Sequence, residues 1–134
     1  MLTKTYEFIK VMCSHYWPLH TNKPQEYGPF TVTMLSEETY AHYKVRTLLL
    51  NKSGCVGDHR VTQYHFDRWP AHTCPSPSAL LQFVRRLSAG LAEMRADGED
   101  GVPVVHCGDG GGRSGAFIVI MENLRMIEER GEVN

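Results

Sequence analysis

The apolar residues of the chain follow two different spacings, and the change from one to the other predicts the order of its elements. Phe30–Met34 and Tyr40–Leu50 are rich in Val, Thr, Tyr and Leu, Val61–Phe66 alternates, and all three read as strands. Asn51, Gly54, Gly57 and Asp58 supply turn chemistry between the last two. Residues 16–29, broken by Pro18, Pro24, Gly28 and Pro29, read as loop, and so does His72–Ser78. The spacing then becomes helical. Leu80, Val84, Leu87, Leu91 and Met94 fall three and four apart, Ser76 or Ser78 can cap, and Pro77 suits a first turn. After an acidic loop, Ala96–Gly101, the run Val102, Val104 and Val105 predicts a short buried strand, Val102–His106. Phe117, Ile120, Met121, Leu124 and Ile127 restore helical spacing to about Arg130, where Gly131 is a stop signal. Tyr6–Met12 is apolar without a period that separates helix from strand. Strands first, then helix, strand and helix, predict an α/β or α+β domain built on a mixed sheet flanked by helices.

Composition narrows this little. The 134 residues are one domain's worth, 42% hydrophobic and 22% charged, as in ordinary globular proteins. A net charge of −1 argues against general nucleic-acid binding, which needs a basic face. No apolar stretch approaches membrane-spanning length, and the start lacks the charged-then-apolar order of a secretory signal, so the expected location is cytoplasmic, without direct membrane insertion by this segment. Four scattered cysteines, Cys13, Cys55, Cys74 and Cys107, predict free thiols rather than a disulfide scaffold. His59, His65, His72, Cys55 and Cys74 lack the paired spacing of a metal site, so no metal is expected.

Residues 106–115, His-Cys-Gly-Asp-Gly-Gly-Gly-Arg-Ser-Gly, carry the chemistry. Cys107 follows a predicted strand and precedes a predicted helix, where free N–H groups and the positive end of the helix converge on an anion. The field that attracts phosphate also favours a thiolate. Gly108, Gly110, Gly111 and Gly112 permit backbone angles that turn successive N–H groups toward one point. Arg113 offers a planar two-pronged donor to phosphate oxygens. Together they suit attack by sulfur on a phosphoryl group.

The loop, with its His-Cys, five residues, then Arg-Ser-Gly, resembles the signature of the cysteine-dependent protein tyrosine phosphatases. Cys13-Ser14-His15-Tyr16-Trp17-Pro18 is similar to the family's Cys-x-x-Tyr-Trp-Pro segment, Tyr27-Gly28-Pro29 and Phe30–Met34 to its next turn and strand, and Tyr64-His65-Phe66, Trp69-Pro70 and Pro75 to the strand and mobile acid-bearing loop. The likeness runs over about residues 13–130. It implies a partial phosphatase domain over 13–134, with residues 1–12 an unassigned N-terminal segment and a fold of mixed twisted sheet and flanking helices. The family's phosphotyrosine-recognition loop, expected before residue 13, and its glutamine loop, expected after residue 134, are not recognised, so the segment reads as a piece of a longer chain or a shortened product.

By resemblance, Cys107 is the nucleophile, Arg113 and the amides of Gly108–Gly112 hold phosphate, His106 braces the loop, and Ser114 hydrogen-bonds the sulfur as the cysteinyl-phosphate breaks down. Phosphotyrosine protein or peptide is the expected substrate, and no cofactor is implied. Two departures stand out. Ala71 follows Trp69-Pro70 where active members carry the aspartate that protonates the leaving oxygen, and loss of a positioned acid costs about 10²–10⁴ in rate. Asp109 puts a carboxylate in the loop, opposing a phosphate about 6 Å away by roughly 3 kcal/mol per unit charge. Both features resemble the membrane-distal second domain of receptor-type tyrosine phosphatases, and they imply either impaired catalysis or a pseudophosphatase that binds phosphotyrosine or docks on an active tandem phosphatase domain. Asp67 and His72 are candidate replacement acids, though a shifted carboxylate rarely compensates. Gly110, Gly112 and Gly115 also satisfy a dinucleotide-binding spacing, but no second strand follows to bring an acid to the ribose. Cys107 is also a candidate redox-sensitive thiolate alongside either role.

Overall fold

The computed structural model describes residues 1–7 and 10–131. Two short strands, β1 (Tyr6–Glu7) and β2 (Lys10–Val11), pair antiparallel; they lie within the segment whose period was ambiguous, of which residues 8 and 9 fall outside the described residues, as do residues 132–134 at the other end. The main sheet has four antiparallel strands in sequence order: β3 (Gln25–Tyr27), β4 (Phe30–Thr39), β5 (Tyr43–Lys52) and β6 (Asp58–Phe66). Two helices follow, α1 (Pro77–Ala96) and α2 (Gly112–Arg130), the second closed by Gly131 in the left-handed region at φ 69°. This is an α+β arrangement. The last three strands fall where the sequence reading put them, but β3 forms within residues 16–29, read as loop, because Gln25–Tyr27 folds back across the Gly28-Pro29 turn to pair with β4. Strand β4 itself runs five residues longer than expected, with a register irregularity between Met34 and Ser36.

Period-two alternation gives the sheet two buried faces. On one, Tyr43, Val45 and Phe66 pack with Leu80, Phe83 and Val84 of α1, Phe117 of α2, Trp69 and Cys107. Phe83 is 1% exposed and its ring meets those of Tyr43, Phe66 and Phe117. On the other face Val32, Met34 and Leu48 pack with Trp17 and Met1. The second face is partly polar. Arg46 and Gln63 are direct cross-strand partners there, and both are buried.

The predicted strand Val102–His106 is not a strand. The segment is irregular, and Val102 and Val104 are 86% and 83% exposed. Among the described residues the one backbone hydrogen bond reaching it comes from Leu2 N–H to the His106 carbonyl, 2.9 Å. An apolar run becomes a strand only through a ladder on its edges. Here residues 1–2 bridge it to β6, with Phe66 N–H donating to the Met1 carbonyl at 2.9 Å, and the valines before Val105 meet no such partner. Ser76 is the α1 N-cap residue and Pro77 its first position, but the Ser76 hydroxyl pairs with Ser78 Oγ at 3.1 Å instead of a backbone amide.

Two predictions follow from this packing. Gly90 of α1 lies directly over the Tyr64 phenol, so a Cβ there would collide with the hydroxyl. Gly90→Ala is expected to destabilise the fold by about 1–3 kcal/mol in urea unfolding, although alanine in an open helix site gains up to about 1 kcal/mol. His65 is buried beside Arg46, with Nδ1 3.0 Å from Nη1 and Nε2 2.7 Å from the Thr3 carbonyl. Burial first, then the Arg46 charge, lower its pKa from 6.5 to about 4 against the opposing pull of that carbonyl. The unfolded chain therefore takes up a proton that the folded chain refuses. The stability due to neutral His65 is complete above pH 6.5 and erodes as pH falls to about 4, in total about 3 kcal/mol. His65→Gln should flatten the unfolding free energy over that window relative to the unaltered chain.

Candidate active site

The loop between Cys107 and α2 is shaped by its glycines. Gly110 has φ 76°, which a side chain would strain. Gly108 lies against the Met12 backbone, so that a Cβ would come within 3.2 Å of its carbonyl oxygen. Gly111 is the N-cap residue of α2 and Gly112 its first residue, with no side chain capping the end. The free amides at the start of this helix thus face the loop interior.

Cys107 is 4% exposed and packs against the main core. Burial opposes ionisation of its thiol, but the nearby Ser114 hydroxyl and the Ser114 and Gly110 amides outweigh that and hold the thiol below its ordinary range. Ser114 Oγ is buried with no hydrogen-bond partner among the described residues, on the side of the sulfur where its dipole favours the thiolate. Asp109 acts the other way. Its Oδ1 accepts the Gly111 N–H at 3.1 Å and lies 3.4 Å from Cys107 Sγ. The Gly111 amide first, then the Cys107 thiol, keep the exposed Asp109 carboxyl ionised below its usual range. This carboxylate uses an amide of the cradle and favours the protonated thiol.

Arg113 is 8% exposed. Its Nη1 donates to the Trp69 carbonyl at 2.9 Å and ties the Trp69-Pro70-Ala71 segment to the loop. Trp69 is an anchor, buried, with its indole N–H on the Thr73 carbonyl at 2.9 Å. Ala71 and His72 line the same open cleft as Gly108, Asp109, Gly112 and Arg113. His72 has φ 58°, an uncommon conformation for a side-chain-bearing residue. Asp67 does not line that cleft and pairs instead with Arg68 at 3.5 Å. His106 hydrogen-bonds the Cys107 carbonyl at 3.2 Å and the Tyr16 hydroxyl at 2.6 Å. Burial lowers its pKa more than the Cys107 carbonyl raises it, which favours the neutral ring.

Three neighbours of the site carried no assigned role in the sequence reading. Tyr16 meets His106 from 90 residues away. Glu7 of β1 reaches the Ala71 N–H at 3.5 Å, and Lys10 of β2 lines the cleft. Only the Tyr-Trp-Pro motif offered a signal for the first; nothing local marks the others.

The family model for protein-tyrosine phosphatase matches residues 1–134. The chain belongs to the protein-tyrosine phosphatase family. The match includes residues 1–12, which the sequence reading left unassigned. Among relatives of this phosphatase chain, receptor-type tyrosine-protein phosphatase U of Gallus gallus is 38% identical over 100% of it, and receptor-type tyrosine-protein phosphatase H of Homo sapiens 39% over 98%. Tyrosine-protein phosphatase 99A of Drosophila melanogaster is 36% identical, again over 100% of the chain. The chain spans 9%, 12% and 10% of these three relatives. No helix among the described residues is long and apolar enough to cross a membrane.

The electrostatics of the loop separate its cysteine from Cys13, whose thiol burial pushes up. Site-resolved mass spectrometry of iodoacetamide labelling should place the pH midpoint for Cys107 below the ordinary thiol range and that of Cys13 above it. A Cys107 midpoint at or above the ordinary value would contradict the field assigned to the loop.

Proposed function

We propose that this segment is the phosphate-loop part of a phosphatase domain acting on phosphotyrosine, and that its turnover is impaired at two points. The supporting observation is the loop itself, in which Gly110 and Ser114 favour the Cys107 thiolate while Gly108, Gly112 and Arg113 line the adjoining cleft. In the first step the Cys107 thiolate forms a bond to phosphorus as the phosphorus–phenol oxygen bond breaks. The leaving phenolate then takes a proton from water, because Ala71 has none to give. In the second step water attacks the cysteinyl-phosphate, releasing inorganic phosphate and restoring the thiolate, with Ser114 on the departing sulfur. Arg113 and the amides balance the charge of the transferring group in both steps. No step needs a metal or an organic cofactor.

The second reading is a pseudophosphatase that holds a phosphotyrosine protein or docks on an active phosphatase domain. The Asp109 carboxylate favours it, since it lies at the sulfur and competes with phosphate for the same cradle. Resemblance to second domains of receptor-type phosphatases supports this role, and with it a cytoplasmic setting.

The double change Ala71→Asp with Asp109→Ala tests the assignment of the handicap. Steady-state hydrolysis of a phenyl phosphate should rise by about 10²-fold or more, and Cys107→Ser should abolish it. If the double variant binds phosphate and still gains nothing, the loss lies elsewhere and the account of Ala71 and Asp109 is wrong. Retention of a phosphotyrosine peptide by the unaltered chain without turnover would favour the binding role.

A further inference from the structure

Behind the loop, on the sheet face away from the helices, four polar side chains form one continuous line. Arg46 Nη1 donates to Gln63 Oε1 at 2.7 Å, Gln63 Nε2 donates to the Tyr16 hydroxyl at 2.9 Å, that hydroxyl lies 2.6 Å from His106 Nε2, and His106 Nδ1 lies 3.2 Å from the Cys107 carbonyl. The direction of every proton follows from its first member. A guanidinium only donates, so the amide must present its oxygen to Arg46 and its NH₂ to Tyr16. The phenol therefore accepts from Gln63, and its own proton is left for His106 Nε2. Met1 Sδ, 3.7 Å from the same oxygen, is a far weaker acceptor. A neutral imidazole carries one N–H, and with Nε2 accepting, that N–H is at Nδ1, facing a carbonyl oxygen.

Arg46 is held firmly enough to impose this order. Its Nε donates to Glu37 at 2.5 Å, and its guanidinium carbon lies 4.7 Å from the Trp17 ring centroid. The far end matters because the C=O and N–H of a trans peptide point in opposite directions. Fixing the Cys107 carbonyl fixes the Gly108 N–H with it, the first amide after the sulfur.

We infer that Gln63 is a positioning residue for Cys107: set by Arg46, it dictates through Tyr16 which nitrogen of His106 carries the proton, and so how the peptide entering the phosphate loop is held. The inference rests on the proposed role of Cys107 as the reacting thiolate, but its primary readout does not.

The test is nitrogen-15 NMR of the His106 ring in the full chain, with the reactivity of Cys107 followed alongside. The unaltered protein should show His106 neutral with its proton on Nδ1. In Gln63→Glu the introduced carboxylate can only accept, so the phenol proton turns to it and the His106 proton moves to Nε2. Iodoacetamide labelling of Cys107 at pH 6 should then slow by about threefold or more. Gln63→Met, similar in volume but without a donor, should give a mixture of the two ring forms. A role in packing alone would lower the melting temperature without moving the ring proton. An Nε2–H ring in the unaltered chain overturns the inference even if no variant folds, and so does an unmoved Nδ1–H in folded Gln63→Glu. If instead Cys107 titrates as an ordinary thiol while the ring forms behave as stated, the thiolate reading fails and the relay stands.

Discussion

The amides that open α2 set a positive potential in the loop interior. Under the proposed function three anions compete for it: the Cys107 thiolate, the Asp109 carboxylate and an incoming phosphate. The protein has already settled part of that competition. Asp109 takes the Gly111 amide and lies against the sulfur, while Gly110 and Ser114 turn their donors to the sulfur itself. An incoming phosphate would share the remaining donors with the thiolate and meet the charge of Asp109. That constraint, more than the absence of an acid at Ala71, sets what the loop can accept.

The rest of the structure holds that space in shape. Cys107 at the start of the loop and Phe117 in the second turn of α2 belong to the same apolar cluster as α1 and one sheet face, so the start of α2 cannot shift without disturbing Phe83 and Phe66. The opposite sheet face is built from Arg46, Gln63 and His65 as much as from valine and leucine. Each of these buried polar groups is paired, as burial demands. Two faces of one antiparallel sheet therefore serve different ends. One supplies cohesion, and the other carries a fixed order of hydrogen bonds toward His106.

How much of this was legible beforehand depended on distance along the chain. The placing of the loop from His106 to Gly115 directly before α2 was legible, because glycine spacing is a local property; the roles of its residues belong to the proposed function. The helices were equally plain, since 3.6-residue periodicity needs no partner. Val102–His106 misled, because its valines promise burial that only a neighbouring edge can provide. The contact of Gln63 with Tyr16 across 47 positions had no local trace, and that of Tyr16 with His106 across 90 only the Tyr-Trp-Pro motif, which names the residue and not its partner. Antiparallel pairing put Arg46 opposite Gln63, and register of that kind is fixed by the assembled sheet.

The bond from Arg113 to the Trp69 carbonyl gives the loop a mechanical side. A guanidinium has five N–H groups in one plane, and turning that plane toward an oxyanion weakens its grip on a peptide oxygen elsewhere. Occupancy of the cradle and freedom of the tryptophan segment are then two readings of a single side chain's orientation. By reciprocity, whatever restrains that segment from outside will also alter how readily the cradle fills.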